Sequence, residues 1–128
     1  MKRHVDLLGI LHIIWGALSL LIGLSMLALT VAAISIVASE PPEAGSTLAE
    51  RFVAASFMSM AIVSLTWGAA HLWEGFGLRR PRDWARTFGL VLAVLNLLLI
   101  PFGTALGVYT LWVLLHDDAR ALFRPGHP

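Results

Sequence analysis

The 128-residue sequence predicts an all-α integral membrane protein: a four-helix bundle of two long helices followed by a short helical hairpin, with N and C termini cytoplasmic. Three observations predict it. No Asp, Glu, Lys or Arg occurs in residues 7–39, 52–73 or 87–116, so all 17 charges fall in the other 43 positions. Only 13% of residues are charged and 58% are hydrophobic, whereas a soluble domain has roughly 25% and 45–50%. Mean hydropathy is +0.80. A chain this small has no interior large enough for so much apolar surface, and each uncharged run exceeds the roughly 20 residues that cross a bilayer.

Composition also excludes. The chain has no Cys, which removes disulfides, thiolate metal sites and thiol nucleophiles. A net charge of +1 without a basic block gives no footprint for nucleic acid. Met1-Lys2-Arg3 before an apolar run resembles a secretory leader, but a leader's apolar region spans about 7–15 residues. The first run has 33, so a retained first span is expected.

Helix 1 is expected over about residues 5–39, uninterrupted until Glu40-Pro41-Pro42. Helix 2 is expected over 48–76, opened by a capping box in which Thr47 precedes Leu48-Ala49-Glu50 and loosened at its end by Gly75 and Gly77. Asp83 is the expected N-cap of helix 3, over 84–100. Pro101 removes the N–H that would bond the carbonyl of Leu97, so a fourth helix is expected over 103–120 rather than one kinked helix.

Charge placement orients the spans. Lys2, Arg3, Arg79, Arg80, Arg82, Arg86, Arg120 and Arg124 fall on one side if there are four, and the positive-inside rule makes that side cytoplasmic. Residues 40–51 carry Glu40, Glu43 and Glu50 against Arg51 alone. Helices 1 and 2 would be about 43–50 Å long and helices 3 and 4 about 25 Å each. The 3–4 turn therefore lies inside the outer leaflet, shielded by the longer pair.

Between membrane helices close packing relies on small residues and shared hydrogen bonds. Gly9, Gly16, Gly23 and Thr30 recur every seven positions in helix 1, with His12, Ser19, Met26 and Ala33 interleaved. Helix 2 repeats the device in Ala54, Ala61, Gly68 and Gly75, accompanied by Phe57, Ser64 and His71. Ala85, Gly89 and Ala93 line helix 3, and Gly103 and Gly107 line helix 4. Trp15-Gly16-Ala17 echoes Trp67-Gly68-Ala69, a match too short and too apolar to separate duplication from chance.

Few residues offer chemistry. His12 and His71 lie on the small-residue seams, and Glu74 shares a helix face with His71. They read either as a metal or haem site or as interhelical hydrogen-bonding groups. Asn96 lies below the Pro101 turn, where its amide is expected to satisfy backbone freed by the break. Arg79, Arg80, Arg82 and Arg86 suit anionic lipid headgroups, and the five Trp suit an interfacial belt. No nucleophile has a nearby base, no acidic residue lies within a span, and no cofactor motif occurs, so an enzyme or an ion-coupled transporter is not expected.

Arg82-Asp83-Trp84-Ala85-Arg86, then Gly89-Leu90-Val91-Leu92-Ala93-Val94-Leu95-Asn96, then Pro101-Phe102-Gly103-Thr104-Ala105-Leu106-Gly107-Val108-Tyr109 with Leu111-Trp112 resemble a widespread group of small bacterial membrane proteins. Leu11-His12-Ile13-Ile14-Trp15-Gly16 is similar to that group's first helix. The resemblance implies four spans in a bacterial inner membrane; the group has no assigned activity, and no site residue carries over. The expected function is non-enzymatic: helix contacts in a subunit, an assembly factor or a homo-oligomer. The alternatives are haem or metal binding at His12 and His71, and a small oligomeric channel or carrier. For the buried turn, a cysteine at Phe102 should react several-fold more slowly with an impermeant maleimide than one at Gly45; equal rates would refute it.

Overall fold

The computed structural model describes residues 1–39, 47–80 and 82–124. They are helical, with no strand among them: α1 (Lys2–Ser39), α2 (Thr47–Arg79), α3 (Asp83–Asn96), α4 (Phe102–Leu115) and α5 (Asp117–Leu122). Glu40, Pro41, Pro42, Glu43 and Gly45 of the expected outer loop, and the Thr47 side chain of the expected capping box, lie outside the described part.

Several boundaries differ from expectation for physical reasons. α2 continues to Arg79, past residue 76, because Gly75 and Gly77 are packing surfaces rather than breaks. A Cβ on Gly75 would stand 2.7 Å from the carbonyl oxygen of Gly9, and one on Gly77 would stand 2.8 Å from the Trp84 ring. Asp83 is the first helical residue of α3, not its cap; Arg82 occupies the cap position without a side-chain bond. Asp83 still favours the helix N-terminus through its charge. The expected helix over 103–120 is two helices, because His116 is extended (φ −67°, ψ 138°) between α4 and α5.

The chain divides into two compact units, Met1–Gly16 with Ala70–Pro128, and Ala17–Ala69. In the first, Val5, Leu8, Leu78, Ala85, Val113, Leu114, Ala119 and Phe123 form the apolar core. α1 and α2 touch backbone to backbone here, since a Cβ on Gly9 would lie 2.9 Å from the carbonyl oxygen of Gly75. α3 packs on α4 in the same manner: a Cβ on Gly107 would stand 2.6 Å from the carbonyl oxygen of Ala93. Carbonyl and glycine at this spacing give close van der Waals contact where hydrophobic driving force is weak.

The break between α3 and α4 is built from four satisfied groups. α3 ends at Asn96, short of residue 100, by tightening into three-residue bonds: Leu97 N–H to Val94 O (3.2 Å), Leu98 to Leu95 (3.2 Å) and Leu99 to Asn96 (2.9 Å). The Ile100–Pro101 peptide is cis. The Leu97 carbonyl, deprived of a donor by Pro101, accepts instead from the Thr104 hydroxyl at 3.0 Å. Asn96 does not serve the break as expected; its side chain turns toward His71.

The second unit pairs the rest of α1 and α2. Gly23 fits against Leu65, where a Cβ would meet the Leu65 side chain at 2.8 Å, and Ala61 and Thr30 are buried. Most large apolar side chains point outward, among them Leu21, Ile36, Phe52 and Val63. The exposed Ser25, Ser35, Ser39 and Ser59 each donate to a carbonyl of their own helix at 2.7–2.9 Å. Their hydroxyls thus offer no unsatisfied donor to an apolar surrounding. α1 and α2 are both long and apolar enough to cross a membrane.

Thr104→Val removes the donor that Leu97 depends on and should cost about 1 kcal/mol. Thr104→Ser should restore it. Unfolding in mixed detergent micelles reads both, and equal stability of all three proteins would refute the role given to the hydroxyl.

Candidate functional site

Residues of four helices meet inside the first unit. α1 contributes His12, α2 contributes His71 and Glu74, α3 contributes Asn96 and α4 contributes Thr110; all five side chains are fully buried. His71 and Glu74 face the same way because three residues nearly complete a helical turn. The small residues of the seams make the space. A Cβ on Gly89 would stand 2.6 Å from Glu74 Oε1, so the carboxylate occupies the room that glycine leaves on α3.

The contacts form one network. His12 Nδ1 lies 2.8 Å from Glu74 Oε2, close enough for an ion pair but not aligned as a linear hydrogen bond. His12 Nε2 lies 3.0 Å from Thr110 Oγ1, and Thr110 donates its hydroxyl to the Leu106 carbonyl at 2.7 Å. A hydroxyl has one proton, so Thr110 must accept from His12, which puts a proton on Nε2. His12 Nδ1 is thereby left facing Glu74. Asn96 Nδ2 donates to His71 Nε2 at 2.9 Å, and the imidazoles of His12 and His71 stack 5.2 Å apart at 14°. Glu74 Oε1 and Asn96 Oδ1 are buried without a hydrogen-bond partner.

Two expectations are corrected here. An acidic residue does lie inside α2, fully buried and paired: the uncharged run ended at residue 73, while the helix carries Glu74 on inward. A hydroxyl also has a nearby base, since Thr110, His12 and Glu74 stand in the order of a nucleophile, base and orienting acid. That hydroxyl is fully buried and its proton is committed to Leu106, so it lacks both access and activation. Face-to-face imidazoles leave no slot between them for a porphyrin.

The remaining expected residues are placed as follows. Gly9, Gly16, Gly23, Gly68, Gly89, Gly103 and Gly107 are all buried. Arg79 donates to Asp6 at 3.2 Å, both half-exposed, and lines one cavity with Arg80, Arg82, Trp73 and Trp84. Arg86 departs from that set: its Nε donates to the Leu114 carbonyl at 3.1 Å, tying α3 to the last turn of α4. Thr110 and Thr104 were not singled out in the sequence, and only their four-residue and seven-residue relations to Leu106 and Leu97 would have pointed to them. No protein-family model, curated protein or solved structure matches the chain.

His12→Leu or Glu74→Leu alone strands the partner in an apolar interior and should cost roughly 3–5 kcal/mol. The double replacement should recover most of that loss. Chemical unfolding of the three variants measures the coupling, and additive losses would show that the pair is not a unit.

Proposed function

We propose that this chain is a multi-span protein of a bacterial inner membrane that works through helix contacts, as a small subunit, an assembly factor or a homo-oligomer, without enzymatic activity. The observation that carries the reading is the outward face of the second unit. Only 11% of the most apolar stretch of α1, and likewise of α2, is buried, and the exposed serines are satisfied within their own helices. That surface suits lipid tails or another membrane helix and is unsuited to water.

In this reading the chain is a four-helix bundle with both termini cytoplasmic. One cavity lined by Lys2, Arg3, Asp6, Leu78, Arg79 and Leu122 gathers the start of α1, the end of α2 and α5, which supports a shared basic face. α3 and α4, at 14 residues each, are about 21 Å long, short of a hydrocarbon core near 30 Å. Their hairpin therefore reaches only part of the way across. Arg79, Arg80 and Arg82 meet anionic headgroups, at about 1 kcal/mol each, whereas Arg86 serves α4.

Single cysteines along α1 and α2 test the contact reading in native membranes. Crosslinks at Leu21, Leu24 or Phe52, Met60, repeating every three or four residues, should give one defined adduct, to a second copy or to another membrane protein. A chain that is monomeric in mild detergent, without a defined adduct from any position, would overturn it.

A further inference from the structure

We propose that His12, His71 and Glu74 together bind one divalent transition-metal ion of the zinc type in the interior of the first unit. One donor atom from each of the three residues lies within 4.8 Å of the other two. Ligands of a tetrahedral zinc ion stand about 3.4 Å apart, so no pair need close by more than about 1.4 Å, a side-chain adjustment rather than a backbone movement. Two imidazoles and one carboxylate are a zinc donor set. Calcium and magnesium need six or more oxygens, which this cluster lacks.

The surroundings match what a metal ligand needs. A ligating histidine donates its second N–H to an oxygen, which fixes the ring and its tautomer. His12 does so toward Thr110 Oγ1 through Nε2, leaving Nδ1 on the side of Glu74. The unpartnered oxygens are the independent observation. Glu74 Oε1 and Asn96 Oδ1 are shielded from solvent and hydrogen-bond to nothing, although a buried oxygen without a partner costs about 1–3 kcal/mol. A cation coordinated by Glu74 removes that deficit. An ion on His71 Nε2 displaces the Asn96 amide N–H, and turning the amide over offers Oδ1 as the fourth donor.

The test uses the full chain purified in detergent without a histidine tag and stripped with a chelator. Cobalt(II) should bind one equivalent per chain with visible d–d bands of a four-coordinate nitrogen–oxygen site, and zinc should displace it. Zinc, and not magnesium, should raise the unfolding temperature. Thr110→Val should weaken binding roughly 10–100-fold, and Glu74→Gln or His71→Gln should weaken it further. Replacing the exposed His4 and His116 with Gln should leave it unchanged. A folded wild-type chain that takes up no cobalt and gains no stability from zinc overturns the proposal, as does binding that Glu74→Gln leaves intact. If those variants do not fold, the wild-type spectrum, stoichiometry and zinc-specific stabilisation decide alone.

Discussion

Burying the Glu74 carboxyl is the constraint on which the first unit depends. A carboxylate moved into an apolar interior without a partner costs several kcal/mol, so α2 is bound to bring it against a polar partner. His12 of α1 is that group, at 2.8 Å. Once His12 is held on one nitrogen, its other nitrogen dictates where α4 must place an oxygen, and Thr110 supplies it at 3.0 Å. His71, on the Glu74 face of α2, in turn requires a polar partner from α3, which is Asn96. One buried acid thus fixes the mutual register of four helices through directional contacts, which apolar packing alone leaves free to slide.

Such a network demands space at the right depth, and the small residues provide it. Gly89 is the clearest case, since any side chain there would collide with Glu74 Oε1. Gly9 and Gly75 let α1 and α2 approach so closely that a Cβ on either would stand 2.7–2.9 Å from the other's carbonyl oxygen, which brings His12 and Glu74 into reach. The glycines therefore serve the polar cluster as much as they serve packing. Local backbone repair follows the same economy: Pro101 ends α3 where Asn96 is needed inside, and Thr104 takes the stranded Leu97 carbonyl so that Asn96 remains available to His71.

The helical class, the two long apolar helices and the break at Pro101 were legible because each rests on a local rule: uncharged runs, helix punctuation and the missing N–H of proline. The glycine seams and the pair of interior histidines were legible from periodicity, since residues seven apart share a face. Glu74 was legible as sharing the His71 face of its helix, but its full burial was not, because the uncharged run that marks the span stops at residue 73. A helix that begins at Thr47 carries its polar end inward wherever neighbours cover it, and coverage by α1, α3 and α4 is a tertiary fact. Thr110 was invisible for the same reason: 98 residues separate it from His12, and nothing local marks a threonine whose hydroxyl bonds its own helix. Arg86 differs from Arg79, Arg80 and Arg82 only through the α4 carbonyl it reaches.

The two units solve opposite problems with the same residue types. In the second, the exposed Ser25, Ser35, Ser39 and Ser59 are turned back onto their own helices, so these polar groups are made inert and the surface is left to apolar contact. In the first, hydroxyl, amide, imidazole and carboxyl are turned toward one another, and two oxygens remain in excess. Left unpaired, each such oxygen costs about 1–3 kcal/mol. Packing alone would be served as well by an apolar set of similar volume, because replacing a buried ion pair with hydrophobic residues is often neutral or stabilising. A cluster that retains surplus oxygen acceptors beside two imidazoles has a reason to exist when a cation draws those donors together.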